Sequence, residues 1–378
     1  MPPLSVMIKP ASGACNMRCR YCFYADEMQL RQKPSCGMMS EKTLEQVIRK
    51  TLEQAERECT IAFQGGEPTL AGFTFFEKAV ALQKQYNHKG LVIHNAIQTN
   101  GLNIDDNWAA FFAENHILVG LSLDGPREQH DRYRVDTSGN GTHQRVMEAS
   151  RILEAHHVDY NILSVVTKQS ARSINQVYGF FAREKLDFQQ YIPCMDPLEM
   201  PYGQQPYSLS VQNYREYLCK LFDLWYTDVK KGKLRYNRTF YNYLMMLQGM
   251  EPESCNMCGS CSIQYVVEAD GSVYPCDFYA LDAWKLGNLN TDSFAQLDQK
   301  RRELGFVQQS RIVPTECRSC RWYKLCRNGC RRDRELLPDG TLGKNRYCKA
   351  FKPFFEYAVP KMLSLLRSGA LHQQSDQK

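Results

Sequence analysis

The sequence predicts an α/β fold: a partial (β/α)6 barrel followed by a cysteine-rich C-terminal extension. Three observations carry this. Strand-like apolar runs and amphipathic helical runs alternate six times in the first half of the 378-residue chain, which implies parallel strands with helical crossovers. Polar or glycine-rich motifs stand where those strand runs end, and barrels of parallel strands gather their active sites at the C-terminal strand ends. Cysteines fall in two fields, one near the N-terminus and one from Cys255 to Cys348. Six units are too few for a closed eight-unit barrel, so the expected barrel is open.

Taken in order, residues 5–9 read as the first strand. Residues 41–58 read as a helix, with Ser40 as N-cap and Leu44, Val47, Ile48 and Leu52 on one face. A short strand over 60–63, a helix over 73–86 and a strand over 91–98 follow. Residues 105–115 form a helix with Trp108, Phe111 and Phe112 turned inward, then a strand over 117–123. A helix at 141–156, a strand at 160–166, a helix at 173–184 and a strand at 188–192 complete the barrel domain, residues 1–195. The composition then changes. Residues 197–206, rich in Pro, Gly, Gln and Tyr, read as a linker or lid. Helices at 214–231 and 240–250 bridge to the extension, which makes 196–250 a linking unit. Tyr217, Leu218, Leu221, Leu224 and Trp225 give the first of these helices a core-facing stripe. Residues 251–350 hold the second cysteine field, and 351–378 a C-terminal helix with a polar tail, 368–378, expected to be disordered.

Composition bounds the function classes. A net charge of +6 without a long Lys/Arg block calls for no nucleic-acid partner. No stretch reaches the length of a membrane span, and Met1-Pro2-Pro3-Leu4 lacks the pattern of a signal peptide. A cytoplasmic protein is expected, in which 16 cysteines serve as metal ligands rather than disulfides.

The first cysteine field is Cys15, Cys19 and Cys22, at C-x-x-x-C-x-x-C spacing directly after the first strand. Three thiolates are one short of an all-cysteine [4Fe–4S] site, which suggests a cluster with one open iron. A zinc or disulfide knuckle is the alternative. The other strand tips are Gln64-Gly65-Gly66-Glu67-Pro68, Gln98-Thr99-Asn100-Gly101, Ser122-Leu123-Asp124-Gly125, Thr167, and Pro193-Cys194-Met195. Gly65 and Gly66 permit close backbone approach to a ligand. Arg134 is either a carboxylate partner or a solvated loop arginine. Asp124 reads as a turn residue, with a ribose bond as the alternative. The second field has C-x-x-C-x5-C-x3-C spacing from Cys317 to Cys330, preceded by Cys255, Cys258, Cys261 and Cys276 and followed by Cys348. Paired C-x-x-C units can also ligate zinc. Residues 265–277 read as a hairpin turning at Asp270-Gly271, with Cys276 and Asp277 on its second strand. Cys36, Cys59, Cys194 and Cys219 lie outside any metal spacing and read as small buried hydrophobes.

The cysteine trio with its Tyr21-Cys22-Phe23-Tyr24 ending, together with Gly65–Pro68, resembles the radical S-adenosylmethionine (radical SAM) superfamily. The second field resembles the SPASM extension of such enzymes. Ile8-Lys9-Pro10, Phe63–Leu70, Leu121–Pro126 and Val273–Tyr279 narrow the resemblance to anaerobic sulfatase-maturating enzymes, from Leu4 to about Leu366. The resemblance implies three [4Fe–4S] clusters and S-adenosylmethionine as cofactors. It places Cys15, Cys19 and Cys22 on the first cluster. It places Cys255, Cys261, Cys276 and Cys330 on a second, and Cys317, Cys320, Cys326 and Cys348 on a third, leaving Cys258 over. It implies cofactor contacts at Tyr21, Gly66, Ser122, Arg134 and Met195, and a catalytic base at Asp277. The implied reaction oxidises a cysteine or serine in a C/S-x-P/A-x-R stretch of an unfolded or nascent sulfatase to Cα-formylglycine. A low-potential donor such as flavodoxin or ferredoxin is the implied electron partner. Another peptide-modifying SPASM maturase, for example a thioether-forming one, and a non-enzymatic metal-binding electron carrier are the alternatives.

Overall fold

A computed structural model describes residues 4–233 and 235–368. Strands β1 (Leu4–Ile8), β2 (Glu58–Phe63), β3 (Val92–Thr99), β4 (Leu118–Ser122), β5 (Tyr160–Val166) and β6 (Phe188–Pro193) pair in sequence order, all parallel. This is the open six-unit barrel that the alternation predicts. Because every strand runs the same way, all six C-terminal tips emerge at one end.

The helices follow their sequence signals. Ser40 caps Glu41–Gln54 by accepting from the Thr43 N–H at 3.2 Å, and Leu44, Val47, Ile48 and Leu52 are buried. That helix ends four residues before the expected limit, because Ala55 turns extended and Glu58 already belongs to β2. Phe73–Tyr86 has the expected bounds. Asp105 caps Asp106–Glu114, and Trp108, Phe111 and Phe112 pack inward. The helix over His143–Ala155 begins two residues after its expected start. The run expected at 173–184 forms the helix Ile174–Arg183, and a separate short helix, Lys168–Arg172, precedes it. Two short helices, Phe23–Gln29 and Arg127–Tyr133, lack a periodic signal because they span about two turns each.

The sheet continues beyond six strands at both edges. Strand β7 (Tyr236–Asn237) pairs parallel with β6. At the other edge β8 (Tyr265–Val267) pairs parallel with β1, and β9 (Ser272–Tyr274) and β10 (Gly287–Asn288) extend the sheet antiparallel. Val6, Ile8, Val266 and Val267 are fully buried, so an apolar seam joins the cysteine-rich extension to the barrel edge. The β8–β9 hairpin turns at Asp270-Gly271 as expected, but β9 stops at Tyr274. Cys276 and Asp277 lie just past it, with Asp277 opening a 3-10 turn, Asp277–Tyr279.

Val211–Lys230 packs against the long helix Cys348–Ser368, with Tyr217, Leu218, Leu221 and Trp225 buried and Leu224 partly buried. The second bridging helix is Arg238–Leu247. The tail expected at 368–378 lies, after Ser368, outside the described residues. Of the four cysteines without metal spacing, Cys59 and Cys194 are buried, whereas Cys36 and Cys219 are only half-buried.

Candidate active site

The cysteine loop leaves β1 and is held from both sides. On one side the Arg18 N–H donates to the Val135 carbonyl at 2.7 Å and the Arg20 N–H to the Tyr133 carbonyl at 2.9 Å. On the other the Glu67 N–H donates to the Ala14 carbonyl at 2.8 Å. Gly66 has φ +56°, and a Cβ there would stand 2.2 Å from the Ala14 oxygen, so no larger residue fits. The buried Glu67 carboxylate accepts from the Thr69 N–H and hydroxyl, the Thr99 hydroxyl and the Asn100 N–H. It therefore ties the second strand tip to the third. Burial pushes the Cys15 thiol up to about 11 and the Cys19 thiol up to about 12. Thiols in this state become ligands only beside a compensating cation, which is what an iron cluster supplies.

Of the residues expected at the cofactor, Tyr21 and Arg134 meet at one buried carboxylate. The Tyr21 hydroxyl donates to Asp124 Oδ2, and Arg134 Nε stands 3.1 Å from the same oxygen. Asp124 Oδ1 accepts from the Val165 N–H at 2.9 Å. Asp124 is thus a buried anion joining the fourth and fifth strand tips to the cysteine loop, not the turn cap expected of it. Arg134 is 6 % exposed, which rules out the solvated alternative. Ser122 Oγ accepts from Gln98 Nε2 at 3.1 Å, and half-buried Met195 sits at the sixth tip. The next residue, Asp196, is gripped from the extension: Arg346 Nη1 donates to its carboxylate at 2.8 Å and Arg332 Nη2 to its carbonyl at 2.7 Å.

Asp277 enters from the opposite side. It is 5 % exposed, and its Oδ2 accepts from the Tyr24 hydroxyl at 2.5 Å and from Gln64 Nε2 at 2.9 Å. Its other oxygen, Oδ1, is buried without a partner. Burial raises this carboxyl above the ordinary aspartate range, against the pull of Lys9, Tyr24 and Gln64. Tyr24, Gln64 and Lys9 all lie within motifs visible in the sequence, but nothing there signalled that they converge on Asp277. Lys9 is 1 % exposed, ion-paired with Glu268 at 3.3 Å and 4.3 Å from the Tyr24 ring centroid. Arg31 Nη1 pairs with the same Glu268 oxygen at 2.6 Å. Burial pushes the neighbouring Glu27 up to about 8.

In the second cysteine field, burial above all, and then the charges of Cys330 and Cys261, push the Cys276 thiol up; burial again, with Cys261 and Cys255 among the lesser causes, raises Cys330. Cys317, Cys320, Cys326 and Cys348 line one cavity of about 480 Å³. Cys258 lies near Cys255, and its Sγ faces the carbonyls of Pro252 and Ser254 at 3.7 and 3.5 Å.

A parallel barrel with a three-cysteine loop at its mouth and a second cysteine field docked on its first strand defines a radical SAM enzyme with an auxiliary-cluster domain. Family models agree: residues 10–181 match the Radical SAM superfamily and residues 255–321 the SPASM iron-sulfur cluster-binding domain. Over 365 residues the chain is 45 % identical to the cysteine-type anaerobic sulfatase-maturating enzyme of Clostridium perfringens (strain 13 / Type A), covering 97 % of this chain and 99 % of that one. It is 30 % identical to the serine-type enzyme of Bacteroides thetaiotaomicron, covering 99 % and 93 %. The chain belongs to the anaerobic sulfatase-maturating enzymes. Its cofactors are three [4Fe–4S] clusters and S-adenosylmethionine. The solved structure of anSMEcpe with bound AdoMet and Cp18Cys peptide superposes with a TM-score of 0.92 at 44 % identity, covering 97 % of this chain and 99 % of that one. Streptococcus suis SuiB bound to S-adenosylmethionine, 18 % identical with a TM-score of 0.61, shares the fold. Among the described residues no helix is long and apolar enough to cross a membrane.

Proposed function

We propose that this chain oxidises a cysteine in a C-x-P-x-R stretch of an unfolded or nascent sulfatase to Cα-formylglycine, in the cytoplasm. The near full-length identity to the cysteine-type enzyme carries this reading. Cys15, Cys19 and Cys22 would hold the first cluster, with Tyr21, Gly66, Ser122, Arg134 and Met195 around S-adenosylmethionine. Cys255, Cys261, Cys276 and Cys330 would hold one auxiliary cluster, and Cys317, Cys320, Cys326 and Cys348 the other. When bound, these groups supply a 5′-deoxyadenosyl radical that removes a hydrogen from the target Cβ, and a route for the second electron.

The protein's own part is position and proton transfer. Tyr24 and Gln64 hold Asp277 Oδ2, leaving Oδ1 to accept the thiol proton as the substrate radical is oxidised. The resulting thioaldehyde is hydrolysed to the aldehyde. Flavodoxin or ferredoxin would deliver the starting electron. The test is anaerobic incubation of the reconstituted protein with S-adenosylmethionine, dithionite and paired C-x-P-x-R and S-x-P-x-R peptides. Formylglycine in the cysteine peptide is the expected result. A crosslinked peptide that retains its sulfur would overturn the reading.

A further inference from the structure

The cofactor side of the site contains a buried histidine that the proposed chemistry does not use. His130 and Thr142 have no exposed surface. The first lies in the helix Arg127–Tyr133, and the second precedes the helix His143–Ala155. The Asp124 N–H faces His130 Nδ1 at 3.3 Å. A backbone amide only donates, so Nδ1 must accept and the ring proton sits on Nε2. Nε2 then donates to Thr142 Oγ1 at 3.0 Å, and that hydroxyl donates to the Arg134 carbonyl at 3.0 Å. The Arg134 N–H returns to the His130 carbonyl at 2.9 Å. Each group in this chain has a single role, and its two ends are the backbones of Asp124 and Arg134, the two halves of the ion pair.

The pair needs such support. Arg134 Nε is 3.1 Å from the Asp124 carboxylate, yet it is not aligned as a hydrogen bond. Charge attraction alone is not directional, so it does not aim a long side chain. Anchoring both backbones does. The same segment supplies the Tyr133 and Val135 carbonyls that receive the Arg20 and Arg18 N–H groups, so it also fixes the height of Arg134 against the cysteine loop. The His143 ring stands edge-on to His130 with centroids 5.7 Å apart, and burial keeps the His130 imidazole neutral, as its acceptor role demands.

We infer that His130 and Thr142 form a positioning clamp that aims Arg134 at the methionyl carboxylate of S-adenosylmethionine, an inference that rests on the cofactor site proposed above. Neither residue touches the cofactor. The clamp acts on how tightly the carboxylate end is held and not on the proton transfer at Asp277.

The test is equilibrium dialysis of S-adenosylmethionine against anaerobically reconstituted enzyme without peptide, with iron measured on every sample. Thr142→Val keeps the shape and removes the hydroxyl. It should raise the Kd about tenfold at full iron, the scale of one or two lost hydrogen bonds. Thr142→Ser keeps the hydroxyl and should bind within about twofold of wild type. His130→Asn keeps an acceptor for the Asp124 N–H but does not reach Thr142, and should resemble Thr142→Val. In turnover both weak binders should show a raised KM for S-adenosylmethionine and an unchanged kcat. The inference fails if Thr142→Val and His130→Asn bind as wild type, if Thr142→Ser is as weak as Thr142→Val, or if iron or peptide affinity falls in parallel. Wild-type enzyme that does not bind S-adenosylmethionine would refute the cofactor site itself.

Discussion

Asp277→Asn separates the proton-transfer role of Asp277 from a merely structural one. The substitution keeps the size of the side chain and an oxygen that can still accept from Tyr24 and Gln64. What it removes is the capacity to take a proton. The buried charge set around it contains two cations, Lys9 and Arg31, and three carboxyls, Glu27, Glu268 and Asp277. Burial holds the proton on Glu27 up to about pH 8, so Asp277→Asn leaves the two cations facing Glu268 alone; the contacts to Tyr24 and Gln64 still seat the side chain, so the variant should fold and load its clusters. A free aspartate, near 3.9, is a weak base for a thiol near 8.5. Burial raises Asp277 and so narrows that gap. Loss of a positioned general base costs roughly a hundredfold or more. The assay therefore measures two products from one reaction, 5′-deoxyadenosine and formylglycine, on samples of known iron content. Cleavage of S-adenosylmethionine should continue while formylglycine falls by about that factor. Wild-type formylglycine yield at full iron would refute proton transfer to Asp277. Loss of about one cluster would show instead that Asp277 orders the Cys276 loop.

Other consequences can be checked directly. Anaerobic reconstitution should saturate at about twelve irons per chain, and saturation at about four would reject the auxiliary assignment. Changing Cys15, Cys19 and Cys22 together to Ala should abolish cleavage of S-adenosylmethionine and leave auxiliary absorbance. Cys258→Ala should keep full iron and activity, because its sulfur faces two backbone carbonyls; loss of one cluster would make it a ligand. Burial pushes Glu27 up to about 8, so the folded state holds its proton more tightly than the unfolded state. That contribution to stability is complete at acidic pH and is lost as pH rises, at about 1.4 kcal/mol per unit, until Glu27 itself ionises. Glu27→Gln lacks the loss, so urea unfolding should show its advantage over wild type growing from pH 5 to 8 and levelling above.

The barrel was legible because its evidence is local. Ser40 and the apolar faces of Glu41–Gln54 and Asp106–Glu114 declare themselves through cap and period. The proposed grouping of the second cysteine field comes only from family resemblance, since spacing alone cannot pair Cys255 with Cys330. What could not be read were contacts between distant segments. The Asp124 role needs Tyr21, Arg134 and Val165 to meet around one carboxylate. Lys9 resembles an ordinary residue at a strand end, yet it is sealed beneath the extension. Gly65 has φ +118°, and a Cβ there would stand 2.7 Å from Lys9 Cε, so that glycine makes room for the lysine.

The pairing of β8 with β1 explains why these distant pieces meet accurately. Its register sets Val6 against Tyr265 and Ile8 against Val267, and the Lys9 N–H continues the ladder to the Val267 carbonyl at 2.8 Å. The chain leaving β1 at that point becomes the cysteine loop. The chain leaving β8 turns through β9 and delivers Cys276 and Asp277. One hydrogen-bonded seam therefore fixes the Cys15–Cys22 loop and Asp277 relative to each other. A one-residue slip would also turn every side chain of β8 to the other face and bury the wrong groups, so the register is strongly specified. Glu268, the residue after β8, then locks the seam by pairing with Lys9 beyond β1 and with Arg31 beyond the Phe23–Gln29 helix. Breaking a buried pair of this kind costs about 3–5 kcal/mol. The charges that steady the seam are thus the same ones that surround Asp277.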